Sequence, residues 1–136
     1  MVLQKQIVLK PYPLGFHLIT EEIVRALQPL PNNGILHLFL QHTSAALTIN
    51  ENADYTVRKD FETFFSQLVP ENFKHFVHTL EGSDDMPAHI KSSIIGQSIS
   101  IPIVNNKLAL GTWQGIYLCE FRRHSSIRKI LASIIS

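Results

Sequence analysis

Cysteine is nearly absent. Cys119 is the one thiol in 136 residues, which excludes an internal disulfide framework and a cysteine-built zinc site. Charge is sparse as well: twelve basic and eleven acidic residues leave a formal net charge of +1. A general nucleic-acid binder carries a clustered basic excess, so no nucleic-acid partner is expected. No apolar run approaches the roughly 20 residues of a membrane-spanning helix, and the opening MVLQKQIVLK is too mixed for a signal peptide. No membrane partner is expected, and the expected compartment is the cytosol. Local catalytic signatures are missing too. There is no HExxH, no Walker loop, no GxGxxG and no GxSxG, so any chemistry must be assembled from residues distant in the chain.

What is present describes a globular protein. A hydrophobic fraction of 45% against 17% charged residues suits one domain over 1–136, long enough to bury a core without covalent staples. Seven histidines stand against the single cysteine. If a metal is bound, imidazole and carboxylate must supply its ligands. Cys119, inside the apolar run 116–121, reads as a packing residue.

Periodicity divides the chain. Residues 2–9 read as a strand, 16–19 as an extended segment, and a helix follows, capped by Thr20, with Glu21 and Glu22 in its first turn and Ile23, Val24, Ala26 and Leu27 on its apolar face. Residues 35–41 are apolar on both faces, which predicts a central strand buried on both sides, with His37 a satisfied core histidine. Residues 45–49 read as the next strand. Over 53–68, Val57, Phe61, Phe64, Phe65 and Leu68 form one apolar stripe of a helix whose Phe residues are expected in the core. Residues 71–83 read as a loop. An acidic cap and Pro87 start a short helix that stops at Gly96. Residues 97–103 alternate cleanly, Asn105-Asn106 predicts a hairpin turn, and 116–122 and 127–135 read as two more strands. The sum is about seven or eight strands and three helices in one domain.

The stretch Gln41–Asp54 concentrates polar side chains after an apolar strand, a rigid support for chemistry or simply a strand, turn and helix cap. His42, His78 and His89 all lie at element boundaries or in a loop. Three imidazoles with an open fourth position would suit zinc or a similar ion, with Glu51, Asp54, Asp84 or Asp85 as further ligands or a general base. Three unrelated surface or capping histidines explain the same pattern. A second possibility is an anion site made of the amides opening the 86–95 helix, the hydroxyls of Thr43 and Ser44, and Arg122, Arg123, Arg128 and Lys129.

Three segments are specific: HTSAALTINENAD at 42–54, EGSDDMPAHIKSSIIG at 81–96, and SISIPIVNNKLALGTWQGIYLCEFR at 98–122. Together, and in this order, they resemble the YjbQ family, formerly an uncharacterised family and later described as secondary thiamine-phosphate synthase enzymes. The resemblance implies an α+β fold of two packed, mainly antiparallel β-sheets, sandwich-like, with flanking helices, assembled as a homotrimer. It implies weak thiamine-phosphate synthase activity, which couples a pyrimidine diphosphate to a thiazole phosphate and releases pyrophosphate. The main physiological reaction is left open. Carried over residue by residue, it places His42, Glu51, Asp54 and His89 as catalytic. Ser44, Asn52, Asp85, Lys91, Thr112, Trp113 and Gln114 are placed as substrate-binding. His78 matches a subgroup of the family only, and His124 stays outside the site. A divalent metal, zinc or magnesium, would sit on His42, His78 and His89, and the partner would be a small phosphorylated metabolite. A non-catalytic trimeric binding protein for such a metabolite, or a metal-dependent phosphoester hydrolase, fits the same residues.

Overall fold

The computed structural model describes residues 1–124 and 126–136. They form strands β1 (Val2–Val8), β2 (Gly15–Leu18), β3 (Asn33–Leu40), β4 (Ala45–Glu51), β5 (Ser98–Val104), β6 (Lys107–Leu108), β7 (Gln114–Glu120) and β8 (Lys129–Ile135), with helices α1 (Thr20–Leu27), α2 (Tyr55–Leu68) and α3 (Asp85–Ile95). Five strands make one antiparallel sheet in the order β1-β8-β3-β5-β6. The other three make a second, β2-β7-β4.

Alternation decides the layering. In β7, Ile116 and Leu118 face the large core shared with Leu36, Leu38 and Leu40 of β3 and Ile130, Ala132 and Ile134 of β8. Tyr117 and Cys119 point the other way, into a smaller core with Phe16, Ala46, Ala88, Phe61 and Phe65. The three-stranded sheet is therefore buried on both faces, between the five-stranded sheet and helices α2 and α3, which is why β7 reads as an unbroken apolar run. Burial pushes the Cys119 thiol pKa up, consistent with a packing role.

Turn residues take the backbone that their types favour. Asn105 and Asn106 have φ of 52° and 64°, the paired positive values of a hairpin turn. Gly96 ends α3 at φ 108°, a backbone left to glycine. Gly34 is required for a different reason, since a Cβ there would lie 2.6 Å from the Ile135 carbonyl oxygen on β8.

Four expectations need correction. Strand β3 is central, but its outer face is uncovered: Ile35 and Phe39 are half-exposed, and His37 on that face meets Ser100 Oγ at 3.0 Å. Helix α2 lies on the surface with no fully buried residue, and Phe64 and Leu68 are exposed while Phe61 and Phe65 pack inward. Thr20 does not cap α1; its hydroxyl accepts from the Ile116 N–H at 2.8 Å instead. Asp84 precedes α3 without a side-chain cap bond, because its carboxylate is drawn to two arginines.

Candidate metal centre

The polar corner at 41–44 is where the chain crosses from the five-stranded sheet to the three-stranded one. Its backbone is pinned from three sides: Gln41 N–H donates to the Lys129 carbonyl, His89 Nδ1 approaches the Thr43 carbonyl at 2.9 Å, and Arg128 reaches the Ser44 carbonyl at 3.3 Å. Helix α3 starts beside this corner. Asp85 and His89, one turn apart, share a helix face, and the 71–83 loop brings His78 over them.

The result is a three-membered donor set, with ligand atoms of His78, Asp85 and His89 all within 4.8 Å of one another. Asp85 Oδ2 lies 2.7 Å from His78 Nε2 and 3.1 Å from His89 Nε2. Its other oxygen accepts from Arg122. Arg122 also donates to Asp84 at 3.2 Å and to the Glu81 carbonyl at 2.9 Å. Asp85 is 1% exposed. Burial pushes its carboxyl pKa up, but the His78 hydrogen bond and the charges of His89 and Arg122 outweigh that and hold it below the ordinary range.

Hydrogen bonding at His89 fixes which ring nitrogen carries the proton. A backbone carbonyl only accepts, so Nδ1 facing Thr43 must carry a hydrogen, and in a neutral ring Nε2 then presents a lone pair. That lone pair meets a carboxylate oxygen 3.1 Å away. A second ring proton makes this contact an ordinary ion pair with Asp85, and a metal ion shared by the two atoms satisfies it equally. His78 can donate from Nε2 and needs neither. An Nδ1–H held by a backbone carbonyl is also the arrangement that fixes the ring of a metal-ligating histidine. Two imidazoles and one carboxylate fit a divalent ion, and nitrogen donors suit zinc better than magnesium.

The other expected site residues are distributed more widely. His42 is not in the donor set; its Nε2 accepts from the Lys129 N–H at 2.8 Å. Burial and the Arg128 charge lower its pKa. Lys91 is buried, with its ammonium 5.4 Å from the centre of the Phe121 ring. Burial lowers its pKa against the opposing pull of Glu71, Glu62 and Asp84. Glu51, Asn52, Asp54, Thr112, Trp113 and Gln114 gather at the opposite end of the three-stranded sheet, since β4 runs from Ala45 to Glu51, a span of ~20 Å. There, Glu51 accepts from the Asp54 N–H at 3.0 Å and Asp54 caps α2 through the Thr56 N–H at 2.9 Å. Asn52 donates to the carbonyls of Thr112 and Gln114, and the Trp113 ring is exposed. Three of the four cations of the expected anion site are engaged as well: Arg122 with Asp84 and Asp85, Arg123 with Glu71, and Arg128 with Glu120, while Lys129 forms no ion pair among the described residues.

The Arg122 clamp, the Thr43 carbonyl and the buried Glu120–Arg128 pair carry no local sequence signature that marks them as site residues. By sequence, Arg122 groups with its neighbours through charge alone, and only its partners reveal that it orients Asp85.

His42 yields a pH prediction. Its depressed folded pKa means the neutral ring is the stable form. Its contribution is complete above the ordinary histidine value of about 6.5 and is lost as pH falls through the lower folded value. Protonation ends the Lys129 bond, at about 1 kcal/mol. Urea midpoints of wild type and His42→Asn, measured between about pH 8 and 5, are expected to converge on acidification. A constant gap between the two curves would refute this role.

Comparison with known proteins agrees with the fold. The family described as "UPF0047 protein YjbQ-like" matches residues 5–136. UPF0047 protein YjbQ of Escherichia coli O157:H7 is 50% identical over 133 residues, covering 96% of each chain. Its counterpart from Salmonella typhimurium is 53% identical over the same length and coverage. A YbjQ-like protein of unknown function from Sulfolobus solfataricus superposes with a TM-score of 0.84 at 26% identity, covering 100% of this chain and 98% of that one. A conserved hypothetical protein from Thermus thermophilus gives 0.83 at 30% identity, covering 94% and 97%. The chain belongs to the UPF0047 YjbQ family.

Proposed function

We propose that this protein is a cytosolic metal-dependent enzyme acting on a small phosphorylated metabolite, with a divalent ion held by His78, Asp85 and His89. The observation that carries this reading is the convergence of donor atoms from His78, Asp85 and His89 within 4.8 Å of one another, with the His89 ring held by the Thr43 carbonyl and Asp85 held by Arg122. A metal bound there supplies charge neutralisation for a phosphate or pyrophosphate leaving group. The chain's own residues do the rest. The Thr43 carbonyl fixes the His89 ring, and Arg122 fixes Asp85. On α3, Ile90 follows His89 in the chain and lines an open apolar cavity of about 420 Å³ with Phe73, Phe76 and Ile94, which suits the uncharged part of such a substrate.

The thiamine-phosphate synthase reaction fits this inventory. The bond from the pyrimidine's methylene carbon to the diphosphate breaks, the thiazole nitrogen bonds to that carbon, and pyrophosphate leaves. The protein is expected to act as a homotrimer joined through the uncovered face of the five-stranded sheet. That face carries Val2, Ile35, Phe39, Val104 and Ile135 half-exposed, with lysines only at strand ends.

Elemental analysis of purified protein, with its mass in solution, tests this directly. About one zinc per chain in a trimer is expected, with both metal and thiamine-phosphate formation lost in His89→Ala. Release of inorganic phosphate from test esters without thiamine phosphate would move the reaction to hydrolysis. Turnover unchanged in His89→Ala would reject the site.

A further inference from the structure

The far end of the three-stranded sheet holds a cavity of about 620 Å³, within the ordinary size of small-molecule sites and separated from the metal donors by the ~20 Å length of β4. Its lining includes Lys10, Glu21, Glu22, Arg25, Asn52 and Gln114. We propose that this cavity binds a small zwitterion carrying an ammonium and a carboxylate, of the free amino-acid class.

The first support is charge balance. Two cations and two carboxylates line the cavity, so a ligand of one sign meets a like charge wherever it sits, while one of both signs is complemented. The second is which groups are already engaged. Glu22 accepts from the Tyr12 hydroxyl at 2.8 Å and from the Lys10 N–H at 3.3 Å. Glu21 and Arg25 form no ion pair among the described residues, and they stand one helical turn apart on α1 with Cβ atoms about 5–6 Å apart. They offer one site for an ammonium and a planar fork for a carboxylate.

The third support is a matched pair of amides. Asn52 donates from Nδ2 to two backbone carbonyls, at 3.1 and 3.0 Å, which leaves Oδ1 as an acceptor. Gln114 Oε1 accepts from the Gly111 N–H at 2.8 Å, which leaves Nε2 as a donor. One acceptor and one donor in the same lining complement a primary amide, so glutamine is the first probe.

The test is calorimetric titration of the full-length protein with glutamine, with glutaramic acid, which lacks the ammonium, and with glutaminamide, which lacks the carboxylate. Glutamine is expected to bind, and each one-charge analogue to bind at least ~10-fold more weakly. Arg25→Ala and Glu21→Gln, both at exposed positions, are expected to weaken glutamine by a similar factor and leave the metal content unchanged. No heat with glutamine or any other free amino acid up to about 10 mM, or equal binding of the charge-deleted analogues, would overturn the proposal. Loss of binding in His89→Ala would overturn it too, by moving the ligand to the metal cluster. Failure of the metal reading alone leaves it standing.

Discussion

Glu120→Ala is expected to destabilise the protein by about 3–5 kcal/mol, the cost of leaving a buried charge without its partner. Glu120 is 0% and Arg128 3% exposed. Arg128 donates to the carboxylate through Nε at 2.7 Å and through Nη2 at 2.5 Å, while Glu120 Oε2 also accepts from the Arg122 N–H at 3.2 Å. Against a typical total of about 5–15 kcal/mol, that loss moves a denaturation midpoint far. The double variant Glu120→Leu/Arg128→Met removes both charges and is expected to recover most of it. The pair also reaches the site, because Arg128 holds the Ser44 carbonyl and Glu120 holds the backbone of Arg122. Metal affinity should therefore fall in the single variant as well. A single-variant loss below about 1 kcal/mol would show that Arg128 behaves as a solvated surface cation.

Asp85→Asn is the second large effect. The substitution keeps size and shape but removes the charge that joins His78, His89 and Arg122. Altering an outer-shell partner costs roughly 10–100-fold in metal affinity. Removing a ligand is expected to cost more than ~100-fold, read by competition with a chromogenic chelator. Asp84→Asn is the control, since Asp84 binds Arg122 and the Arg123 N–H and is not among the donor atoms; its loss should stay within the ~10–100-fold of an outer-shell partner and below that of Asp85→Asn. Wild-type zinc binding by Asp85→Asn would reject the donor set. Acid sharpens the comparison. Because the folded Asp85 pKa is depressed, its contribution is complete above about 3.9 and disappears as pH falls through the lower folded value. Asp85→Asn should lose that part of the acid dependence.

Much of the fold is legible without coordinates because it depends on local chemistry. Alternation at 97–103, the Asn105-Asn106 turn and Gly96 after the α3 helix all translate directly into structure. The errors arise where a residue had two possible uses. Thr20 and Asp84 are good caps by type, but a strand N–H claims one and Arg122 with the Arg123 N–H claims the other. Phe64 belongs to the apolar stripe of α2 by spacing, yet only the face toward Phe16 meets a partner, so Phe64 stays exposed.

The same division runs through the site. Residue types alone require that any metal be held by imidazole and carboxylate, because a single cysteine cannot build a thiolate site. The order of polar and apolar residues singles out 41–54, and the family resemblance adds 81–96, the segment that meets it at the centre. Which side chains meet there is a property of the folded chain. Antiparallel β4 and β7 send the two polar ends of the three-stranded sheet ~20 Å apart, separating Glu51, Asn52 and Gln114 from His89. His42 is turned away because the first N–H of β8 needs an acceptor, and Asp85 takes its place because Arg122 and the helix spacing aim it at both remaining histidines. Hydrogen-bond partners chosen across long sequence separations leave no periodicity to read, so that part of the centre becomes visible only once the sheets and α3 have packed.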